Sequence, residues 1–221
     1  TGRDVVTHGA MVDDELVPEK YTGGDDGVVR AIRGDKLLWK AHTGGSINFD
    51  PVHWKGRVYA GSNDGQVYAL EAATGELLWK FQAAPQVRRI NVYGQLMSTW
   101  PVAGGVAVKD GVVYAAAGIA HYDGTHVYAL DAITGELKWH NGTSGTLNSE
   151  LKNGISLCGP LRVGPSPRGK SVLQFPGGNA VATAMYDLET GECLSDAPNS
   201  PTGVARSTFY VEQWLNRRQK P

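Results

Sequence analysis

The run Asp64-Gly65-Gln66-Val67-Tyr68-Ala69-Leu70-Glu71-Ala72-Ala73-Thr74-Gly75-Glu76-Leu77-Leu78-Trp79 returns later in the chain. There it reads Asp123-Gly124-Thr125-His126-Val127-Tyr128-Ala129-Leu130-Asp131-Ala132-Ile133-Thr134-Gly135-Glu136-Leu137-Lys138-Trp139, with one residue inserted before the valine. Repetition this close decides the architecture, because each copy is one supersecondary unit that buries its apolar face only by stacking on the next. Two weaker copies flank the pair. Asp26-Gly27-Val28-Val29-Arg30-Ala31-Ile32 leads to Trp39 through a shorter turn, and Met185-Tyr186-Asp187-Leu188-Glu189-Thr190-Gly191-Glu192 continues to Ser195 where a tryptophan would fall. The tryptophans at 39, 79 and 139 are spaced by 40 and then 60 residues. A unit of about 40 is the length of a propeller blade, and the longer interval marks an insertion of about 20.

Within one unit the strands are read from alternation and turn chemistry. Residues 47–54 are expected as a first strand, 57–61 as a second, 66–72 as a third and 76–81 as a fourth, with Asn63-Asp64-Gly65 as a hairpin signal. Residues 109–118, 125–132 and 136–141 repeat the last three. The expectation is an all-β chain: a β-propeller of four-stranded antiparallel blades, about four of them, so a partial ring. The repeats fall near 25–40, 47–81, 102–141 and 160–195, with 82–101 inserted and 196–221 a tail holding one short helical pattern at 211–218.

Composition fits many tight turns between short strands: glycine, at 29 of 221 residues, is about twice its average usage. Balanced charge, 21 basic against 22 acidic residues, leaves no global field to attract nucleic acid or anionic lipid. No stretch reaches the roughly 18 apolar residues of a membrane-crossing helix. Cys158 and Cys193 have no Cys-x-x-Cys spacing; they are two thiols or one bridge. A start at Thr1 reads as a processed or excised piece.

The Ala-x-Asp-x-x-Thr-Gly-x-x-x-Trp run from Ala129 to Trp139 resembles the tryptophan-docking motif of the pyrroloquinoline-quinone (PQQ) propeller family. That family includes quinoprotein alcohol dehydrogenases and the outer-membrane-assembly lipoprotein scaffold. The resemblance covers residues 25 to about 195, and the middle of the chain also resembles large multi-domain bacterial PQQ-like repeat proteins. It implies blades packed face to face, with Ala69 and Ala129 letting the tryptophan of one blade cover its neighbour. Gly75, Trp79, Asp131, Gly135 and Trp139 complete the structural motif. It also implies a ring of seven or eight blades, so the remainder would come from further sequence, another chain or a second copy.

Both insertions, 82–101 and 119–125, fall at one end of the blades, the end carrying the second-to-third hairpins and the blade-to-blade links. Lengthened loops on a rigid scaffold suit a ligand-facing rim, and neutral loop growth is the alternative. The rim candidates are Arg88 and Arg89, as a bidentate clamp for carboxylate or phosphate, with Trp100, His121 and Tyr122. The alternative, and the commoner case for adjacent exposed arginines, is that they are solvated or paired with a structural acid. His121, Asp123 and His126 lie within six residues and offer a weak transition-metal set, although Asp123-Gly124 aligns with the turn at Asp64-Gly65.

For a quinoprotein dehydrogenase the resemblance requires a vicinal disulfide against PQQ, calcium held by carboxylate and amide groups, and an aspartate base. The sequence has no Cys-Cys pair, and no acid can be placed as the base. Nucleophilic triads, phosphate-cradling glycine loops and His-Glu-x-x-His are absent too. The expectation is therefore a non-catalytic scaffold that presents its loop-rich face to a protein, peptide or glycan partner. By resemblance it works in the periplasm or outside the cell. The rival is part of a PQQ- and calcium-dependent dehydrogenase whose catalytic blades lie elsewhere.

Overall fold

A computed structural model describes residues 18–92, 94–118, 125–142, 159–166, 169–175 and 184–194. These residues form antiparallel sheets in which every strand pairs with its sequence neighbour. The first sheet holds β1 (Lys20–Thr22), β2 (Val28–Arg33) and β3 (Lys36–His42). The second holds β4 (Val52–Trp54), β5 (Arg57–Gly61), β6 (Gln66–Glu71) and β7 (Leu77–Gln82). A separate hairpin follows, β8 (Arg89–Val92) and β9 (Gln95–Ser98). The third sheet holds β10 (Val106–Lys109), β11 (Val112–Ala117), β12 (His126–Asp131) and β13 (Leu137–Asn141). The fourth holds β14 (Arg162–Pro165), β15 (Ser171–Phe175) and β16 (Ala184–Asp187). No helix occurs among the described residues, and none is long and apolar enough to cross a membrane. The all-β, partial-propeller expectation stands.

Two local readings differ from the sequence account. The strand expected over 47–54 is confined to Val52–Trp54. Pro51 has no amide proton to give a ladder, and the buried Ile47 spends its own amide on Gly24 O (2.9 Å), so 47–51 is an anchored link between blades. Residues 82–101, expected as an extended connection, contain the β8–β9 hairpin, in which Arg89 pairs with Ser98 and Val92 with Gln95. In the fourth sheet, where serine replaces the tryptophan, the outer strand is reduced among the described residues to a single bridge between Tyr186 and Cys193.

Each tryptophan reaches across a blade boundary. Trp39 Nε1 donates to Ala72 O at 3.0 Å, Trp79 Nε1 to Ala132 O at 3.2 Å and Trp139 Nε1 to Leu188 O at 2.9 Å. The same carbonyls accept from Tyr21, Tyr59 and Tyr114 hydroxyls at 3.1, 2.8 and 3.4 Å. Ala69 and Ala129 pair in register with Trp79 and Trp139 of their own blades. Side chains alternate along a strand, so Ala69 faces the third sheet while Leu70 and Ala72 face the first. The neighbour's surface is glycine. A Cβ at Gly135 would stand 2.7 Å from the Trp79 ring, and one at Gly191 2.4 Å from the Trp139 ring.

A β-bulge recurs after Ala31, Ala69 and Ala129. It leaves Leu78 without a ladder partner between Leu77 and Trp79 and twists the outer strand locally, so the indole meets the next blade. Apolar layers fill the three boundaries, around Val58 and Leu70, Tyr59 and Leu130, and Leu173 and Tyr186.

Candidate ligand-facing rim

Antiparallel order puts the second-to-third hairpins and the blade-to-blade links at one end. Backbone hydrogen bonds tie them together: Asn63 N to Ser46 O (2.9 Å), Ser98 N to Asn63 O (2.7 Å), Ala84 N to Gly65 O (2.9 Å), Val102 N to Ser62 O (3.1 Å) and Gly118 N to Pro101 O (3.1 Å). The hairpin at 62–65 is thus the hub on which the β8–β9 hairpin stands.

Asp64 lies in this hub, 5% exposed. Its Oδ1 accepts from Gln66 N at 3.0 Å, and its Oδ2 accepts from Gly44 N at 3.0 Å and from the Tyr68 hydroxyl. Both oxygens are committed to holding the turn and the adjacent link. Burial, and then the hydrogen bond to Asp64, push the Tyr68 phenol well above its ordinary pKa; the Arg89 charge acts the other way. Beside it Asn63 Nδ2 donates to Ser46 Oγ (2.7 Å) and Asn48 Oδ1 (2.9 Å).

The two arginines do not act as a pair. Arg88 lays its guanidinium over the Trp100 ring, 4.7 Å from the centroid, and donates from Nε to Thr99 Oγ1 at 3.2 Å. Trp100 is 6% exposed and belongs to the core between the second and third sheets. Arg88 therefore covers the ring of Trp100, itself one of the residues the sequence offers as a ligand-binding candidate. Arg89, exposed at the start of β8, shares the face of Ser98, the side turned to the hub. The hairpin meanwhile holds out Val87 at 82%, Ile90 at 45% and Leu96 at 62% exposure.

His121, Tyr122 and Asp123 lie outside the described residues. His126 does not stand alone: its Nδ1 is 3.1 Å from His140 Nε2, and His140 stacks on Tyr128 at 4.4 Å between centroids and 7° between planes. Sequence reasoning missed His140, which is 14 residues from His126 along the chain. The signal was the repeat itself, since positions 126 and 140 match Gln66 and Lys80, which share one face of the β6–β7 pair.

The described residues do not form a cradle for PQQ and calcium. The Trp100 ring is capped by Arg88, and both Asp64 oxygens accept hydrogen bonds. No group of three His, Cys, Asp or Glu side chains converges among the described residues. Among the described residues the two buried polar atoms without partners are far apart in the fold: Arg33 Nη1 lies in the first sheet and Thr125 Oγ1 just before β12 of the third.

Residues 25–208 match the family described as outer membrane protein assembly factor BamB. The chain belongs to this PQQ-like propeller family. Over 191 residues it is 27% identical to BamB of Burkholderia pseudomallei, covering 76% of the chain and 47% of that relative. Over 146 residues it is 29% identical to the dehydrogenase subunit of alcohol dehydrogenase (quinone) from Acetobacter aceti, covering 64% of the chain and 19% of the relative. The crystal structure of quinohemoprotein alcohol dehydrogenase from Comamonas testosteroni superposes with a TM-score of 0.58 at 20% identity, over 82% of this chain and 34% of that one. That likeness is one of fold. The chain spans about half the length of the BamB relative and about a fifth of the dehydrogenase subunit.

Proposed function

We propose that this PQQ-like module is a non-catalytic scaffold that binds a protein segment, outside the cytoplasm, through the β8–β9 hairpin of its loop-rich rim. The observation that carries this reading is the hairpin itself. Its base is fixed to the hub by Ser98 N to Asn63 O and by Arg88 against Trp100. Its short two-stranded ribbon exposes Ile90 on one face and Leu96 on the other, with Val87 exposed just ahead of β8. A two-stranded ribbon with apolar side chains, whose β8 edge pairs with no third strand among the described residues, suits an extended protein segment better than a glycan or a small anion. Membership in the BamB family supports an assembly role.

The test is photo-cross-linking from position 90 or 96 in the producing cell. A discrete cross-linked protein is expected, lost from position 90 when Leu96→Asp is added and from position 96 when Ile90→Asp is added; absence of any adduct from both positions sinks the reading.

The second reading is a segment of a PQQ- and calcium-dependent alcohol dehydrogenase, favoured by the 29% identity to the quinone dehydrogenase subunit. Titration of PQQ with calcium into the full-length protein decides it. Saturable binding with dye-linked alcohol oxidation supports the enzyme, and no binding leaves the scaffold.

A further inference from the structure

We propose that His126 and His140 form an open two-imidazole site for a divalent late transition ion such as Cu²⁺ or Zn²⁺, on the rim of the third blade. His126 Nδ1 and His140 Nε2 are 3.1 Å apart. Two metal–nitrogen bonds of about 2.0–2.1 Å, meeting at an angle between square and tetrahedral, leave their nitrogens about 2.9–3.4 Å apart. The existing separation, that of a ring N–H···N hydrogen bond between the two imidazoles, lies within this range. A neutral imidazole carries its single proton on either nitrogen, so both facing nitrogens become lone pairs when the proton moves to the far side of one ring.

The rings are also held in place. His140 stacks on Tyr128 at 4.4 Å, and Tyr128, 6% exposed, is anchored by its hydroxyl to Ala83 O at 2.8 Å. His126 lies nearly parallel to the same ring, 20° off. A ligand pair preorganised by packing loses little freedom on binding. Access is kept by Gly142, where a Cβ would stand 2.9 Å from His126 Nδ1 and 3.0 Å from His140 Nε2. His140 is exposed and His126 partly so, leaving the remaining coordination positions to water or to a side chain of a bound partner.

The second blade supplies its own control, since Gln66 and Lys80 occupy the equivalent positions there. His126→Gln and His140→Lys therefore place side chains that this fold already accommodates. The experiment titrates CuCl₂ and ZnCl₂ separately into the tag-free chain by calorimetry, with electron paramagnetic resonance on the copper form. The wild type is expected to bind one ion per chain, with nitrogen hyperfine structure from two imidazoles. Each variant should bind roughly tenfold or more weakly, while its circular dichroism and melting stay unchanged and His53→Gln binds as the wild type does. Absence of stoichiometric binding in the wild type, or undiminished binding in His140→Lys, overturns the assignment. Neither result bears on the hairpin, so the scaffold reading stands or falls separately.

Discussion

The ring of Trp79 lies so close to the backbone of Gly135 in the next blade that a methyl group there would stand 2.7 Å from Cδ2. Optimal carbon–carbon contact is about 3.5–4.0 Å, and Gly135 also has φ +76°. Gly135→Ala is expected to destabilise the chain by about 2–5 kcal/mol, from backbone strain plus overpacking. Gly56, with φ +73° and nothing near its absent Cβ, isolates the backbone part, so Gly56→Ala should cost only about 1–2 kcal/mol. Urea unfolding of the two variants measures the difference, and equal losses would mean that the indole is not seated on Gly135.

The carbonyl of Ala132 accepts from both Trp79 Nε1 and the Tyr59 hydroxyl. Trp79→Phe and Tyr59→Phe should each cost about 0.5–1.5 kcal/mol, because one donor remains for a fully buried acceptor. The double variant strips that carbonyl, so its loss should exceed the sum by about 1 kcal/mol. A double-mutant cycle reads the excess directly, and simple additivity would show that the two donors act independently.

The repeat made the blades legible because hydrophobic alternation and turn glycines act locally, over four to eight residues. What the sequence hid depends on partners distant along the chain. That Ala69 sits opposite Trp79 of its own blade is set by strand register. Arg88 looked like a clamp until Trp100, twelve residues on, folded beneath it. His126 was grouped with its sequence neighbours, whereas antiparallel pairing delivers His140. The 47–54 strand failed for a local reason that Pro51 already displayed.

Acid should weaken the third and fourth blades together. Lys170, then the amides of Thr190 and Glu189, hold the Asp187 carboxyl well below the usual range. The amides of Thr134 and Ile133, then Lys138, do the same for Asp131. A carboxyl with a depressed folded pKa contributes stability that is complete above its unfolded value, about 3.9, and is lost as pH falls toward the folded one. Stability should therefore hold down to about pH 4–5 and decline below it. Asp187→Asn should lower the plateau and flatten the decline, as followed by urea midpoints from pH 7 to pH 3. An unchanged slope would mean that another carboxylate dominates.

Arg88 separates two uses of one residue. As a ligand clamp it would leave the apo hairpin indifferent to its loss. As a cover for Trp100, bonded to Thr99, it fastens β8 to the hub. A cation–π contact at an accessible site contributes about 0.5–1 kcal/mol, and that energy falls on a local unit, since β8–β9 forms a sheet of its own. Arg88→Ala should thus leave the global urea midpoint nearly unchanged while amide exchange at Ser98 and Thr99, bonded to Asn63 O and Arg88 O, quickens several-fold and protease cuts sooner near Gly94, the exposed turn of the hairpin. Arg88→Lys should recover part of that protection through its remaining charge, but less than arginine, whose flat guanidinium stacks on the indole. Protection unaltered in Arg88→Ala would return this arginine to the pool of ligand-binding candidates.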